Sequence, residues 1–489
     1  MPKEYFKLEN TTSLNTLKKG ASVHIIGVCG VAMAQLAMLL DSKGYTVSGS
    51  DKEFYEPMGS LLRSSSIKLF EGYKADNIQG KPDLVVIGNS ISYGNAEVDV
   101  VEQKRLPYAS FPQILAETVI ADRHSIVVSG THGKSTTSAM LVGMLNVLKL
   151  NPSYFIGGVV EGLDLSLHEG KGDVSVVEGD EYDSAFFAKI PKFAFYKPQT
   201  LIVNAIEFDH ADIYIDLNAI NKEFKKLVTS VPHDGHVICC IDYENVRHEL
   251  AEWRKSTQCE FITFGESNDA DYSISSSEQT GLSQKISVKV KDGSNFTFLL
   301  PLPGLFNAKN ALASLITAGV LGIKDKAARS ALENFKGIKR RQQLRFKNEK
   351  LMIIEDFAHH PTAVSQTIAA FKSSFPDKRL IAVFEPRSNT SRRKIFQADY
   401  IEAFRKADLA VLCNVSGREN DQGHELLDVQ ILSEEINKTG VPSVCLQDSR
   451  EIEQYLLNNT STNDVVLIMS NGSFGGLIDN LLLALSGNR

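Results

Sequence analysis

The chain has 489 residues, of which 43% are hydrophobic, and it carries a formal net charge of −7. Single cores rarely grow beyond roughly 250–300 residues, so several domains are expected, and the charge argues against general affinity for nucleic acid or membrane surfaces. Six scattered cysteines without a C-x-x-C pair, no signal-peptide core and no bilayer-length apolar stretch favour a reduced cytoplasmic protein, and no obligate protein partner is implied.

The first predicted block covers residues 1–122 and alternates buried-type strands with helical patterns. Strands are predicted at 22–27, 45–51 and 83–90, and a helix at 31–44. This rhythm predicts a Rossmann-like parallel sheet with ligands at the carboxyl ends of its strands. The small and polar residues expected there are Gly27, Gly30, Ser50, Asp51, Asn89 and Ser90. A dinucleotide-dependent oxidoreductase is an alternative interpretation of this pattern.

The second predicted block covers residues 123–337 and contains the strongest single motif of the chain. Strands are predicted at 124–130, 173–179, 200–210 and 236–242, helices at 135–150 and from Asn310, and a hairpin within 285–300. The string GTHGKSTT joins the first of these strands to the first helix. That position between a strand and a helix is typical of a phosphate-binding loop.

Each part of this loop suits a nucleotide triphosphate. Glycines let the backbone turn tightly and direct its N–H groups inward, and the helix start adds positive partial charge. Lys134 can reach the outer phosphates, and the Ser135 hydroxyl can contact Mg²⁺. The predicted ATP-binding residues of the loop are Gly130, Thr131, His132, Gly133, Lys134, Ser135 and Thr136. The alternatives are an ordinary glycine turn with a surface lysine, or a P-loop ATPase or nucleotide-gated binding module.

Two acidic clusters follow neighbouring strands of the same block. The segment 178–183 contains four acids in six residues, and the segment 207–212 contains three acids and His210. Acids this close repel each other unless a cation or solvent separates them, and carboxylate oxygens are the ligands that Mg²⁺ prefers. The sequence therefore predicts a magnesium site at this edge of the sheet, with solvent exposure as the alternative.

The third predicted block covers residues 338–489, and its strand and helix patterns again predict a Rossmann-like α/β domain. Strands are predicted at 351–357, 379–387, 408–414 and 465–472. The first of them contains Asp356 near its end, and His359 and His360 follow it. Paired histidines suggest zinc, but no cysteine or third histidine stands at ligand spacing. Contact with substrate or phosphate is the prediction for this segment.

Six strings in order along the chain resemble the Mur ligase family. They are SGTHGKSTT, VEGDEYDSAFF, IEFDHADIY, FNAKNALA, DFAHHPTA and SNGSFGG. The resemblance implies an α/β fold of three domains: a Rossmann-like domain that binds the UDP-sugar, a central P-loop ATPase-type domain and a Rossmann-like C-terminal domain. It further implies ATP as co-substrate, Mg²⁺ as cofactor, and closure of the third domain over ATP and the incoming peptide.

The resemblance also implies roles for individual residues. Catalysis would involve Lys134, Glu178 and His210, and the metal would be held by Ser135, Glu178 and His210. Further ATP contacts would come from Asn307, Asn310, Arg341 and Asp356, and peptide contacts from His359, Arg387 and Asn389. The UDP-sugar would contact the strand-end residues of the first block. Some family members carry a carbamoylated lysine, but Lys225 lies in a charge-rich helical stretch, where a solvated lysine is the better prediction.

Within the family, EYDSAFF, FDHADIY, FAHHPTA and EPRSNTSRR resemble a peptide-adding branch. That branch joins the murein tripeptide L-alanyl-γ-D-glutamyl-meso-diaminopimelate to UDP-N-acetylmuramate through an acyl-phosphate, in peptidoglycan recycling. The alternative within the family is the ligase that adds a single L-alanine in de novo peptidoglycan synthesis.

Overall fold

The computed structural model describes residues 5–78, 80–211, 213–415, 417 and 425–486. Asp212, the last acid of the second predicted cluster, lies outside them. Within these ranges three main α/β sheets follow one another along the chain, in the order of the three predicted blocks. The boundaries at 122 and 337 stay predictions. No described helix combines the length and the apolar composition needed to cross a membrane.

The first sheet is a parallel Rossmann-like sheet with the strand order β3–β2–β1–β4–β5 over its described residues. Its elements are β1 Ser22–Ile26, α1 Val31–Ser42, β2 Thr46–Asp51, α2 Met58–Arg63, β3 Lys68–Glu71, β4 Leu84–Ile87, α3 Ala96–Gln103, β5 Tyr108–Ser110 and α4 Phe111–Leu115. The central strands β1 and β4 are buried on both faces, as their continuous branched apolar runs predict. Gly27 and Gly30 form the predicted turn between β1 and α1, and Gly27 adopts a φ of +83°.

The second sheet is mixed, with the order β17–β16–β15–β14–β13–β12–β6–β9–β7–β8 among the described strands. Its strands are β6 His124–Ser129, β7 Ser153–Phe155, β8 Leu167–His168, β9 Val174–Gly179, β12 Thr200–Val203, β13 His236–Cys240, β14 Glu260–Gly265, β15 Tyr272–Thr280, β16 Ser283–Val290 and β17 Asn295–Leu300. A separate hairpin is formed by β10 Asp183–Ala185 and β11 Ala188–Pro191. The helices are α5 Lys134–Val147, α6 Leu217–Thr229, α7 Glu244–Ser256, α8 Leu305–Val320 and α9 Asp325–Leu332.

The predicted strand 200–210 is wrong at its carboxyl end, because β12 stops at Val203. Val203 pairs with Ser129, the last residue of β6. The phosphate loop begins directly after Ser129, so β12 has no further partner residue in β6. Residues 204–211 then continue outside any strand, and His210 adopts a φ of +54°. The predicted hairpin within 285–300 is confirmed by the antiparallel pair β16–β17.

The third sheet has the order β18–β19–β23–β20–β21–β22 in its described part, and only β18 pairs antiparallel there. Its elements are β18 Gln343–Lys347, β19 Leu351–Asp356, α10 Pro361–Ser374, β20 Arg379–Phe384, α11 Gln397–Ala403, β21 Leu409–Cys413, α12 Val429–Lys438, β22 Ser443–Leu446, α13 Ser449–Asn459, β23 Asp464–Met469 and α14 Leu477–Leu485. Apolar clusters cover both faces of this sheet, as a doubly wound fold requires. The predicted three-domain α/β class is confirmed.

We call the parts of the chain that carry the first, second and third sheets the first, second and third units. The first and second units share an apolar core. Phe187, between β10 and β11, packs against Phe6 and Tyr108 with ring centroids 6.2 and 5.0 Å apart. Phe187 is 8% exposed and belongs to the same buried cluster as Ile26 of β1. Contacts between the second and third units include several polar side chains near the central cavity, described next.

Candidate active site

A cavity of about 310 Å³ lies where the second and third units meet. Its walls come from the loop between β6 and α5, from the two acidic segments, from the start of α8 and from the segment after β19. These are carboxyl ends of parallel strands and helix starts, the places where α/β folds bind ligands. The cavity therefore brings together parts of the chain that are more than 200 residues apart.

The phosphate loop has the backbone that its glycines predict. Gly130 and Gly133 adopt φ angles of +128° and +82°, and α5 starts directly afterwards at Lys134. A side chain at Gly133 would collide with the amides of Asn310 and Asn204. The loop amides and the positive end of the 14-residue helix α5 thus face the cavity.

Lys134 lies inside the cavity wall with its side chain 14% exposed. Its Nζ donates to the carbonyl of Gly130 at 2.8 Å and to the Glu181 carboxylate at 2.8 and 3.0 Å. Burial by itself would lower the pKa of Lys134, but the carboxylates of Glu181 and Asp180 outweigh it and raise that pKa. The ammonium is therefore charged at neutral pH and can bind an anion.

Two of the predicted metal ligands lie together. The Ser135 hydroxyl donates to Glu178 Oε2 at 3.2 Å, and the other carboxylate oxygen accepts the Gly157 N–H at 2.6 Å. Burial raises the pKa of Glu178, against the opposing effects of Gly157 and Lys134. A buried carboxylate and a hydroxyl beside a phosphate loop are hard oxygen donors that fit Mg²⁺.

The third predicted ligand, His210, contacts a different carboxylate. Its Nε2 lies 3.1 Å from Glu181 Oε1, and the two form a potential metal-binding group with Asp180. Burial lowers the pKa of His210, but the hydrogen bond to Glu181 and the charge of that group outweigh it, so the pKa is raised. The buried Nδ1 has no hydrogen-bond partner among the described residues. That orphaned nitrogen fits a site completed by a ligand.

The four further residues assigned to ATP all line the cavity: Asn307, Asn310, Arg341 and Asp356. Asn307 donates to Gln342 Oε1 at 2.7 Å, which joins α8 to the third unit. The Arg341 guanidinium lies 4.5 Å from the centre of the Phe357 ring. Burial lowers the pKa of Arg341 and raises that of Asp356, while each charge opposes the shift of the other.

The predicted peptide-binding residues are separated in the structure. His359 lines the cavity, and burial lowers its pKa. Its Nδ1 lies 3.0 Å from the Phe357 carbonyl. Because a carbonyl only accepts, Nδ1 carries the proton and the neutral ring keeps its Nε2 lone pair. Arg387 and Asn389 are outside the described cavity lining; the Arg387 side chain is 41% exposed and packs against Gly472.

The residues predicted to bind the UDP-sugar lie at the carboxyl edge of the first sheet. Asp51 accepts the Cys29 N–H at 2.7 Å and the Tyr73 hydroxyl at 3.0 Å, so it fastens the glycine turn to the loop after β3. The Ser50 hydroxyl is fully buried and donates to Glu97, away from solvent. Asn89 and Ser90 are exposed beyond β4. This edge is outside the described lining of the central cavity.

Two acids were missing from the predicted site. Glu181 holds both Lys134 and His210, and Glu207 lies 2.6 Å from His132 Nε2, the separation of a direct hydrogen bond. Both belong to the two acidic segments noted in the sequence, 178–183 and 207–212. The density of acids indicated these segments but did not single out Glu181 and Glu207. Lys225 is exposed on α6 and outside the described cavity lining.

Three family models match consecutive parts of the chain. They are the Mur ligase family, catalytic domain, over residues 22–123, the Mur ligase middle domain over 128–318 and the Mur ligase, glutamate ligase domain over 340–472.

Individual relatives cover nearly the whole chain. The UDP-N-acetylmuramate–L-alanyl-gamma-D-glutamyl-meso-2,6-diaminoheptandioate ligase of Escherichia coli (strain K12) is 37% identical over 94% of this chain and 97% of its own. The UDP-N-acetylmuramate–L-alanine ligase of Clostridium tetani is 30% identical over 94% and 97%. The crystal structure of a murein peptide ligase from Psychrobacter arcticus 273-4 has a TM-score of 0.70 and 33% identity, covering 96% of this chain and 99% of its own. The chain therefore belongs to the Mur ligase family, whose members are ATP-dependent ligases that form amide bonds.

Proposed function

We propose that the protein joins the tripeptide L-alanyl-γ-D-glutamyl-meso-diaminopimelate to UDP-N-acetylmuramate, with ATP and Mg²⁺. The substrates are those named for the Escherichia coli relative. The observation that carries the proposal is one cavity lined by the phosphate loop, a buried carboxylate–hydroxyl pair and charged groups of the third unit. The six free cysteine thiols support a reducing, cytoplasmic location.

The chemistry requires activation of a carboxylate, because oxide is a very poor leaving group. A carboxylate oxygen of the muramyl group attacks the γ-phosphorus of ATP, the bond from that phosphorus to the bridging oxygen breaks, and ADP leaves. The peptide amine then attacks the acyl-phosphate carbon, and inorganic phosphate leaves with its electron pair. Lys134 and the loop amides stabilise the negative charge that spreads over the transferring group.

Ser135 and Glu178 are the residues that would hold Mg²⁺. His210 lies apart from this pair, hydrogen-bonded to Glu181. When bound, the ion would neutralise negative charge on the phosphates of ATP. Arg341 adds a second positive group from the third unit to the cavity wall. Asn307 and Asn310 of α8 are assigned to the nucleotide itself.

The attacking amine must be neutral, so a proton acceptor is needed. His359 suits this step, because burial keeps its ring neutral and Nδ1 is committed to the Phe357 carbonyl. Its Nε2 is thereby free to accept a proton. His210 is less suited, since the hydrogen bond to Glu181 favours its protonated form.

The proposal is tested by measuring ADP release with UDP-N-acetylmuramate and one of three acceptors: the tripeptide, free L-alanine or none. We expect ADP release with the tripeptide and formation of the joined product, detected by mass spectrometry. Lys134→Ala should lower kcat by about a hundred- to thousandfold. Preference for L-alanine would favour the second candidate, the activity named for the Clostridium tetani relative. Equal release without acceptor would identify an ATPase instead, and normal coupling by the Lys134 variant would refute the phosphate-loop mechanism.

A further inference from the structure

Residues 204–211, the segment between β12 and α6, contact the phosphate loop along one side. Thr131 donates its N–H to the Ala205 carbonyl at 2.8 Å, and its hydroxyl accepts the Glu207 N–H at 2.9 Å. The His132 ring lies 2.6 Å from the Glu207 carboxylate. A Cβ at Gly130 would lie 2.7 Å from the Ala205 carbonyl oxygen, so the loop rests directly on this segment.

The same segment contacts the third unit along its other side. The Thr362 hydroxyl donates to Glu207 Oε1 at 3.1 Å, and His360 Nε2 lies 3.3 Å from the Phe208 carbonyl. Arg393 donates to the Ala211 carbonyl at 2.9 Å. The Glu207 carboxylate thus contacts both units: Oε2 lies 2.6 Å from His132 Nε2 and 3.8 Å from His360 Nδ1, and Oε1 accepts the hydrogen bond from Thr362.

We propose that Glu207 is a positioning residue that couples the phosphate loop to the third unit, so that the loop reaches its reactive geometry only when α10 docks on the Glu207 carboxylate. The inference rests on the proposed function, because it assigns ATP to this loop. It adds a residue that acts through others: Glu207 holds His132 and Thr362.

Three physical features favour this role. Hydrogen bonds to a charged carboxylate are stronger than bonds between neutral groups, so the contacts of Glu207 with His132 and with Thr362 both contribute to the coupling. Thr362 is the second residue of the 14-residue helix α10, and a helix N-terminus stabilises a negative charge placed against it. The Glu207 side chain is 25% exposed and His360 8%, so the junction is partly shielded from water. A shift of α10 therefore changes the interactions that hold His132.

The test is a double-mutant cycle in the full-length protein. Thr362→Val removes only the hydroxyl of the third unit, Glu207→Gln keeps the size of the side chain but removes its charge, and the double variant combines them. Ser365→Ala is the matched control, since it removes a hydroxyl from the same helix that forms no hydrogen bond to Glu207 among the described residues. The readouts are kcat and KM for ATP, the melting temperature, and the radius of gyration with a non-hydrolysable ATP analogue and UDP-N-acetylmuramate.

We expect each single variant to lower kcat by about tenfold while its melting temperature changes little, and the double variant to fall no further than Glu207→Gln. Both single variants should compact less than wild type with the analogue, and Ser365→Ala should match wild type. Unchanged kcat in Thr362→Val, or losses that multiply in the double variant, would overturn the coupling. If Glu207→Gln does not fold, normal kcat and compaction in Thr362→Val alone refute it.

The outcome of this coupling test can be distinguished from the outcome of the substrate assay. Should wild type fail to release ADP with the tripeptide, the proposed substrate is wrong. Analogue-induced compaction, and its loss in Thr362→Val, still tests the junction because neither measurement needs the acceptor. Equal compaction of wild type and Thr362→Val would refute the coupling even in an active ligase.

Discussion

Gly133 is the residue on which the phosphate loop depends most visibly. Its φ of +82° is unfavourable for any residue with a Cβ, and the space a Cβ would need is filled by the amides of Asn310 and Asn204. The positive φ of Gly133 could be predicted from the motif. The steric conflict with Asn310 could not, because Asn310 lies on α8, far along the chain.

Gly133→Ala should therefore weaken ATP binding by about a hundredfold, since both the loop and the Asn310 amide must move. Isothermal titration with an ATP analogue measures the change. Gly319→Ala is the control: Gly319 lies within α8 with open space around it, so alanine should raise the free energy of unfolding by ~0.5–1 kcal/mol and leave ATP affinity unchanged. Unaltered affinity in Gly133→Ala would contradict the assignment of this loop.

Arg387 tests a different residue-level assignment. Its side chain is 41% exposed and its Nη1 lies 3.7 Å from Glu385, outside the described lining of the central cavity, so the guanidinium is accessible to a peptide carboxylate. Arg387→Ala should raise the KM for tripeptide about tenfold or more and change the KM for ATP little, as steady-state kinetics will measure. Arg405→Ala, which removes an exposed arginine paired with Glu402, should change neither constant. Equal increases in both KM values for the Arg387 variant would refute a peptide-specific role.

At the scale of elements, helix α10 carries a pH-sensitive start. His360 is its N-cap and accepts the Thr362 N–H, and the residue is 7% exposed at the junction of the second and third units. Burial, together with the nearby His132, lowers the pKa of His360 to about 4. Pro361 at the first position is typical of a helix start. The depressed pKa arises only from packing against the other unit.

The sign of the pH effect follows from that depressed pKa. A histidine held neutral in the folded protein stabilises it above the ordinary pKa of about 6.5, and this contribution is lost as the pH falls towards 4. His360→Asn keeps an N-cap but cannot titrate. We expect the difference in free energy of unfolding between wild type and this variant to shrink between pH 6.5 and 4.5 in urea titrations. A difference independent of pH would contradict the buried, neutral histidine.

Element prediction succeeded where local pattern and burial agree. The buried strands β1, β6 and β19 begin at the predicted residues, because continuous branched apolar runs need no partner to be recognised. The segment 200–210 failed because its apolar character continues past the point where its neighbour β6 ends. Sheet register depends on that neighbour, and a single segment does not contain the information.

At the scale of the whole molecule, the units are joined in two different ways. The first and second share the fully apolar cluster around Phe187. The second and third are joined by polar contacts at Glu207, Asn307 and Arg393, and among the described side chains only partly buried ones, such as Phe208, pack from the second unit against the apolar core of the third. Apolar burial favours a permanent contact, and polar contacts exchange readily with water. We therefore expect the third unit to be the one that moves during turnover.

Phe187→Ala tests the shared core, because it removes a buried ring that touches Phe6 and Tyr108. We expect the free energy of unfolding to fall by ~3–5 kcal/mol and the KM for UDP-N-acetylmuramate to rise, since the first unit loses its fixed position. Urea unfolding and steady-state kinetics measure the two effects. Leu299→Ala, at a side chain 50% exposed on β17, should stay within ~0.5 kcal/mol of wild type. A Phe187 variant as stable as that control would refute the shared core.

The sequence by itself determined the three-unit α/β class, the phosphate loop and the Mur ligase family, because apolar periodicity and short motifs are properties of neighbouring residues. The tertiary structure decided the partners: His210 contacts Glu181, Ser50 is turned inward to Glu97, and Glu207 stands between His132 and Thr362. These pairings join residues separated by 29 to 155 positions. Their geometry follows from how the sheets and units pack, which no local stretch of sequence specifies.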